Sequence, residues 1–321
     1  MLYIKNRYTN KVFSFPTKLK ASNWCKDHGV TLEALYTARR EGRFSKTAFY
    51  LCSEKEYVDY LNKQKEELEK LSSPEIKTAL IASDIHFCYE DKDAVDILYQ
   101  IAKDYAQIID EFIDMGDGIN NGALSRFTDV ETGNYTLYDE ILAYKNHISK
   151  LKTLIPDAKF TVLQDNHYHL RKRNFLADNP AFKGMIPDLS YLFDEEVAHA
   201  RLYFPFEQKR FGLIHGNSIG KHFTQTHLEE YGRYDVMCGH THTLQVYVSQ
   251  SGSPDDPARR SYGIPSMCKH MEYTNNRPTR QVCGFAMITF DEKTNNYNVE
   301  YIIVEDKRAI FRGRLYESKV K

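Results

Sequence analysis

The sequence has little of what marks a secreted, membrane-spanning or sulfur-based protein. Its six cysteines lie far apart among 321 residues, with no Cys-x-x-Cys pair, which argues against a disulfide framework or a thiolate zinc site. No run approaches the roughly 18 apolar residues of a membrane span. The first residues, MLYIKNRYTNK, lack the apolar core of a signal peptide. We therefore expect a cytoplasmic protein with reduced core thiols and no membrane contact.

Several nucleotide and hydrolase motifs are also missing. The chain has no P-loop, no Rossmann glycine fingerprint and no nucleophile elbow with a Ser/His/Asp triad, which disfavours nucleotide-driven motors and serine hydrolases. Hydrophobic residues nevertheless make up 42% of the chain and aromatic residues 13%. The chain is therefore long and apolar enough to fold around a sizeable core.

The formal net charge of −1 hides an uneven distribution of charge. The first 50 residues contain ten Lys or Arg against three Asp or Glu, a balance of +7, so the remaining chain carries −8. A basic segment joined to an acidic body indicates that the two parts have different partners.

Residues 1–53 are predicted to form a small basic module of mixed α and β structure. A strand pair around LYIKN and KVFSF precedes two helical stretches and a last strand, TAFYLC. Thr31 is the expected N-cap of the second helix. Two short helices around a glycine turn resemble a helix-turn-helix, and the predicted nucleic-acid contacts are Tyr36, Arg39, Arg40 and Arg43. The alternative is an adaptor that docks a partner protein.

Residues 54–75 read as a connecting helix, and residues 76–321 as a second domain. After Ile76, strands alternate with helices, which favours an α/β sheet with parallel central strands. The second half is mostly strands, so a second, mixed sheet is expected to complete an α/β sandwich.

Five of the predicted strands end in residues that bind metals. These strand ends are Asp84-Ile85-His86, Gly116-Asp117, Asp165-Asn166-His167, His215-Gly216 and Gly239-His240-Thr241-His242. Each alone is a common turn or surface pair, but their order in one domain favours a shared site. The period of two in an extended chain is expected to point both outer side chains of DIH and of HTH to one side. Oxygen and imidazole ligands without thiolates suit Mn²⁺, Zn²⁺ or Fe.

This series of motifs resembles the calcineurin-like metallophosphoesterase superfamily over roughly residues 76–304. The resemblance implies an α/β/β/α sandwich that binds two divalent ions at the strand ends. Mn²⁺ is our first choice, with Zn²⁺, Fe or Ni²⁺ as alternatives. One ion would be held by Asp84, His86 and His242, the other by Asn166, His215 and His240, and both by Asp117. The compact motifs and the appended module are similar to phage-encoded members, whose location would be the host cytoplasm.

The resemblance also implies a mechanism, in which a metal-bridging hydroxide attacks phosphorus while His167 assists the leaving group. Two departures from the family pattern stand beside His167: Asp165 replaces the usual glycine, and Tyr168 the usual acid. Asp165 is predicted to be a turn former or an orienting partner for His167. Substrate contacts are predicted for Asn120, Arg171 and Arg173, with Asn121 as a further candidate.

Three functions follow as hypotheses. The first is a dinuclear metal-dependent phosphodiesterase, a nuclease whose basic module holds DNA. The second is a phosphomonoesterase acting on nucleotides or phosphoproteins. The third is a DNA-binding regulator with an inactive esterase domain, which the presence of a competent residue at every ligand position disfavours.

Overall fold

The computed structural model describes most of the chain in two compact units, Met1–Ser72 and Ser73–Lys321. The described residues are 1–6, 11–40, 49–71, 75–125, 135–188, 196–198, 202–250, 258–269 and 280–320. Within these ranges no helix combines the length and the apolarity that a bilayer crossing requires.

The described residues of the first unit form three strands and three helices. Strand β1 lies between β2 and β3 and is antiparallel to both. The side chains of Thr17 and Thr31 accept hydrogen bonds from the amides of Lys20 and Ala34, which confirms Thr31 as an N-cap. The elements are β1 (Leu2–Asn6), β2 (Val12–Phe15), α1 (Lys18–Asp27), α2 (Leu32–Arg40), β3 (Phe49–Cys52) and α3 (Glu54–Leu71).

The sheet of the first unit is covered on both faces. Ile4 and Leu51 pack on one face against buried residues of α1 and α2. On the other face Tyr57 of α3 stacks on Tyr3, with ring centroids 4.4 Å apart. Helix α3 therefore belongs to the packing of this unit. Two helices lie on either side of Gly29, whereas the resemblance of the pair to a helix-turn-helix and its DNA-binding role stay predictions.

The second unit is mixed α/β, as predicted. Its helices are α4 (Lys92–Asp104), α5 (Leu137–Leu154), α6 (Arg171–Asp178) and α7 (Phe223–Tyr231). Its strands are β4 (Ile76–Ala82), β5 (Glu111–Asp114), β6 (Lys159–Leu163), β7 (Glu196–Ala198), β8 (Phe211–Ile214), β9 (Asp235–Cys238), β10 (Gln245–Val248), β11 (Arg260–Gly263), β12 (Gly284–Asp291), β13 (Tyr297–Ile303), β14 (Arg308–Phe311) and β15 (Arg314–Glu317).

Two larger sheets organise this unit. The six-stranded sheet has the order β13-β12-β4-β5-β6-β7, in which β4 to β7 are parallel to one another. The four-stranded sheet has the order β10-β11-β9-β8, with β8, β9 and β11 parallel. Parallel strands place their carboxyl ends at the same edge of each sheet, where loops can carry chemistry.

The core of the second unit lies between these two sheets. Ile81 and Ile113 of the first sheet pack with Leu213 and Met237 of the second, so the inner faces meet. Helix α7 buries Phe223 against the second sheet. Helix α5 lies on the Phe112 side of the first sheet, where Tyr144 donates a hydrogen bond to Asp114. Helices thus flank the paired sheets.

The sequence did not predict strand β11 or the hairpin β14–β15. Each of these strands has only four residues, too few to show a clear period of two. They are held by pairing with neighbours, because β11 lies between β10 and β9.

Candidate metal centre

Five strand ends of the second unit meet at one place. Strands β4, β5, β6, β8 and β9 each end between one and three residues before a predicted ligand. A continuous series of short contacts, none longer than 4.0 Å, joins most of these ligands. The structure therefore brings together the predicted metal ligands, which are Asp84, His86, Asp117, Asn166, His215, His240 and His242.

The shortest contacts divide the centre into two halves. In one half, His242 Nε2 lies 3.3 Å from Asp84 Oδ1 and 3.2 Å from His86 Nε2. In the other, His215 Nε2 lies 2.7 Å from Asn166 Oδ1. Asp117 joins the halves, because its Oδ2 atom is 3.2 Å from His215 Nε2 and 3.9 Å from His86 Nε2.

The ligand side chains converge by a different backbone geometry from the one predicted. Asp84 and His86 have φ values of 53° and 51°, and His240 and His242 have values of 68° and 55°. The prediction that DIH and HTH are extended is therefore wrong. Left-handed backbone is uncommon for residues other than glycine, and it clusters at functional sites, where surrounding structure holds it. Asp117, with φ of 54°, shares this feature.

Two glycines allow the segments to approach closely. A Cβ atom on Gly116, whose φ is +105°, would lie 2.8 Å from both Asp165 Cβ and His215 Nδ1. A Cβ atom on Gly239 would lie 2.8 Å from Asp84 Oδ2. Both distances are shorter than real Cβ contacts, so the close packing of the five segments requires glycine here.

Several of these side chains form groups that could hold a metal ion. Two groups whose possible ligand atoms all lie within 4.8 Å of one another share Asp117: one adds His86 and His167, the other His215 and His240. Carboxylate and imidazole donors suit divalent ions of borderline hardness. A carboxylate common to both groups is the arrangement that a bridging ligand needs.

Four imidazoles of the centre are held through Nδ1, so that Nε2 faces inward. The Nδ1 atom of His215 lies 2.9 Å from Met115 O, and that of His167 lies 2.8 Å from Asn120 O. The Nδ1 atom of His86 lies 3.2 Å from Asn120 Oδ1. A carbonyl can only accept, so each of these rings carries its proton on Nδ1 and leaves Nε2 for a ligand or a proton.

The fourth imidazole has a sulfur partner that the sequence did not predict. The Nδ1 atom of His242 lies 3.5 Å from Sγ of Cys268, which is 1% exposed. Cys268 was assigned to the core from its spacing alone. No local signal placed it here, because it is 26 residues from His242 in the chain.

Burial opposes charge on both carboxylates of the centre, but their neighbours outweigh it. Burial by itself raises the pKa of Asp84, yet the hydrogen bond and charge of His242 lower it. The pKa of Asp117 falls well below its usual value because His167 and His215 outweigh burial in the same way. Both side chains are therefore ionised at neutral pH.

The imidazoles divide into charged and neutral rings. Burial favours the neutral form of His215, but Asp117 overrides it and raises the pKa to about 10. For His242, Cys268 and Asp84 outweigh burial and raise the pKa well above the usual value. Burial and the charge of His167 lower the pKa of His86 to about 3. In the metal-free chain, the raised pKa values of His215 and His242 favour protons on these two rings beside the two carboxylates.

Asp165 begins a short π-helix, Asn166–Leu170. Its backbone is extended, with φ of −128°, so this position does not require the glycine that the family usually has. Its Oδ1 atom accepts hydrogen bonds from the amides of Tyr168 and His169, and Oδ2 accepts one from the amide of Asp117. Asp165 is therefore a turn former and the N-cap of this segment. The described hydrogen bonds of the His167 ring go to Asn120 and Arg171.

The predicted substrate contacts have different environments. Asn120 and Asn121 are fully buried, whereas Arg173 is exposed. Arg171 lies beside the centre: its Nη2 atom is 3.3 Å from His167 Nε2, and Nη1 donates to Asn120 O at 2.9 Å. Their roles toward substrate stay predictions.

The predicted nucleic-acid contacts lie in the first unit. Tyr36, Arg39 and Arg40 are exposed on helix α2. Arg43 lies outside the residues that the structure describes.

Comparisons with known proteins give a faint likeness. No protein-family model and no curated protein matches the chain. A single mutant of Vps29 from Entamoeba histolytica shares 10% identity at a TM-score of 0.35, covering 71% of this chain and 99% of that one. Wild-type Vps29 from the same organism, complexed with Zn²⁺, shares 11% sequence identity at a TM-score of 0.36. The match covers 70% of this chain and 98% of that one. The hypothetical protein PH1004 from Pyrococcus horikoshii OT3 shares 12% sequence identity at a TM-score of 0.37. The match covers 72% of this chain and 89% of that one. These scores are too low to assign a family or an activity.

Proposed function

We propose that the protein is a metal-dependent phosphoesterase that cleaves phosphodiester bonds, with DNA as its substrate. The observation that supports this most strongly is the position of Asp117, whose Oδ2 atom lies 3.9 Å from His86 Nε2 in one half of the centre and 3.2 Å from His215 Nε2 in the other. A carboxylate between the two halves suits a pair of ions.

The proposed ligands of the two ions are those predicted from the motifs. Asp84, His86 and His242 would hold one ion, Asn166, His215 and His240 the other, and Asp117 both. When bound, two divalent ions would neutralise phosphate oxygens and lower the pKa of water at the site. Asn166 adds an uncharged oxygen, so the total ligand charge stays below that of the ions.

His167 is proposed to give a proton to the leaving oxygen. Its Nδ1 atom is held 2.8 Å from Asn120 O, so the proton that can be transferred is on Nε2. That Nε2 atom lies 3.6 Å from Asp117 Oδ2, so it faces the proposed metal position. An alkoxide leaving group needs such a proton donor near neutral pH.

DNA is proposed as the substrate because of the uneven charge. The first 50 residues carry +7 and the rest −8, so affinity for phosphates is expected in the first unit rather than in the body. Exposed Arg39 and Arg40 on helix α2 are available for phosphate contacts.

Model substrates test this proposal. The protein is loaded with Mn²⁺ and given methyl 4-nitrophenyl phosphate, a diester, and 4-nitrophenyl phosphate, a monoester. We expect faster turnover of the diester, and loss of turnover when the metal is chelated. Turnover of the monoester alone would support the phosphomonoesterase instead, and turnover of neither ester by metal-loaded protein would contradict both enzymes.

A further inference from the structure

We infer that the groove beside the metal centre binds one unpaired nucleoside of the phosphodiester substrate. This rests on the proposed function and narrows its substrate from DNA in general to a strand whose nucleotide can leave the stack. The groove lies between the short helix Gly122–Leu124 and helix α6.

The position of the groove connects it to the proposed chemistry. Asn166, a proposed metal ligand, and Arg171 line one part of it. The guanidinium of Arg171 also contacts His167 Nε2 at 3.3 Å. A group bound in the groove would therefore lie next to the phosphate that the centre would hold.

The size of the groove is sufficient for a nucleoside. Its volume is about 830 Å³, within the usual range for pockets that hold small molecules, about 300 to 1,000 Å³. In a duplex each base is stacked and paired, so only a base that has left the stack can enter a pocket. A single-stranded or frayed end supplies such a base at little cost.

The chemistry of the groove favours a neutral group over a second phosphate. Among its described lining residues, Arg171 is the only cation and Asp178 the only carboxylate. The other polar lining groups include amide and hydroxyl groups, such as those of Asn174 and Ser125. A chain of phosphates would require more positive charge than one arginine provides.

Apolar and aromatic surface completes the groove. Leu124 and Phe175 line it together with the polar groups. Phe175 is half-buried, and its ring centroid lies 5.7 Å from that of Phe182, so the ring is supported from outside the groove. A supported aromatic ring with nearby amides matches a nucleobase, which has an apolar face and a polar edge.

The test compares a dinucleoside monophosphate, thymidylyl-thymidine, with methyl 4-nitrophenyl phosphate, which carries no nucleoside. The variants are Phe175→Ala and Asn174→Ala, both in the full-length, Mn²⁺-loaded protein. Asn174 is exposed, so its replacement should not affect folding. The control is Met185→Ala, an exposed residue that does not line the groove.

We expect Phe175→Ala to raise KM for the dinucleotide about tenfold, the loss expected when one stacked base loses its partner. Asn174→Ala should raise it less, and both variants should turn over the small diester as the control does. If the variants match the control on the dinucleotide, the groove does not bind the nucleoside, while the proposed function stands. If the wild type hydrolyses neither diester, the proposed function fails and the inference with it.

A second arm uses oligonucleotides. We expect the wild type to cut single-stranded DNA faster than a blunt duplex of the same sequence. Equal rates on both would contradict the need for an unpaired nucleotide.

Discussion

The imidazole rings of the centre are orientated by groups that do not face the metal position. Asn120 holds two of them, because its Oδ1 atom contacts His86 and its carbonyl oxygen contacts His167. Both rings then present Nε2 inward. The buried Asn120 side chain thus has a positioning contact, which the sequence alone could not separate from a substrate contact.

His167→Ala should separate catalysis from metal binding. We expect kcat for thymidylyl-thymidine, whose alkoxide leaving group needs a proton, to fall about 10² to 10⁴-fold, the usual contribution of a general acid. Turnover of methyl 4-nitrophenyl phosphate should fall much less, because nitrophenolate leaves without a proton. Metal content should stay unchanged, because none of the seven proposed ligands is removed. Metal analysis and steady-state kinetics measure both quantities, and His222→Ala, which removes an exposed imidazole, is the control. A loss of metal equal to the loss of turnover would make His167 a ligand instead.

Metal binding should depend on pH through His215. Asp117 raises the pKa of His215 to about 10 against the effect of burial, so an ion must displace a proton at neutral pH. Affinity should therefore rise with pH, about tenfold per pH unit for each proton released. Calorimetry in buffers of different ionisation enthalpy counts these protons. Binding that releases no proton between pH 6 and 8 would contradict a charged His215.

The imidazole of His215 also affects the stability of the metal-free protein. Because the folded-state pKa of His215 is raised above the usual 6.5, its contribution to stability is fully present below pH 6.5. That contribution is lost as the pH rises toward about 10. Bound metal should remove this dependence, since the ring is then neutral at all pH values in the range.

At the scale of elements, the site depends on loops held in unusual backbone conformations. The π-helix Asn166–Leu170 carries a proposed ligand and His167. It begins at Asp165, whose carboxylate accepts amide hydrogen bonds from inside the π-helix and from Asp117 on the neighbouring loop. One side chain thus fixes two segments of the centre.

Asp165→Gly should destabilise the protein although the family that the motifs resemble usually has glycine there. Loss of the cap and of the bond to Asp117 is expected to lower the free energy of unfolding by about 1 to 3 kcal/mol. Asp165→Asn keeps one acceptor oxygen and should lower the free energy of unfolding by less. Urea unfolding of both variants in the metal-free state gives the comparison, and equal stability of Asp165→Gly and wild type would show that the cap is dispensable.

At the scale of the whole molecule, we expect the basic first unit to bind DNA and the acidic second unit to cleave it. If the first unit holds DNA, the double variant Arg39→Ala/Arg40→Ala should weaken DNA binding and reduce the salt slope of log K by about two. Turnover of methyl 4-nitrophenyl phosphate should not change.

The matched control for this experiment removes two positive charges from the second unit. Lys183→Ala/Lys221→Ala changes two exposed residues there and should leave DNA affinity nearly unchanged. If both double variants weaken binding alike, net charge rather than helix α2 accounts for the affinity.

Much of the second unit could be predicted from sequence, because its strands β4, β5 and β6 are buried apolar runs separated by helices with clear periodicity. The candidate ligand residues could be named because each lies in a short motif at the end of a predicted strand. The left-handed backbone of Asp84 and His86 was not, since it depends on contacts with other segments, such as the hydrogen bond from the His86 amide to Asp117 O. Cys268 was missed for the same reason: its contact with His242 exists only in the folded chain.

The number of metal ions bound by wild type and by Asp117→Asn, measured together with diester hydrolysis, tests the central claim most directly. Equilibrium dialysis against Mn²⁺ should give two ions per wild-type chain, and hydrolysis of methyl 4-nitrophenyl phosphate should require both. Asp117→Asn should lose metal and turnover together, because its carboxylate belongs to both groups of ligand atoms. Wild-type protein that binds two ions but hydrolyses no phosphoester, or that hydrolyses the diester without metal, would contradict the proposed function.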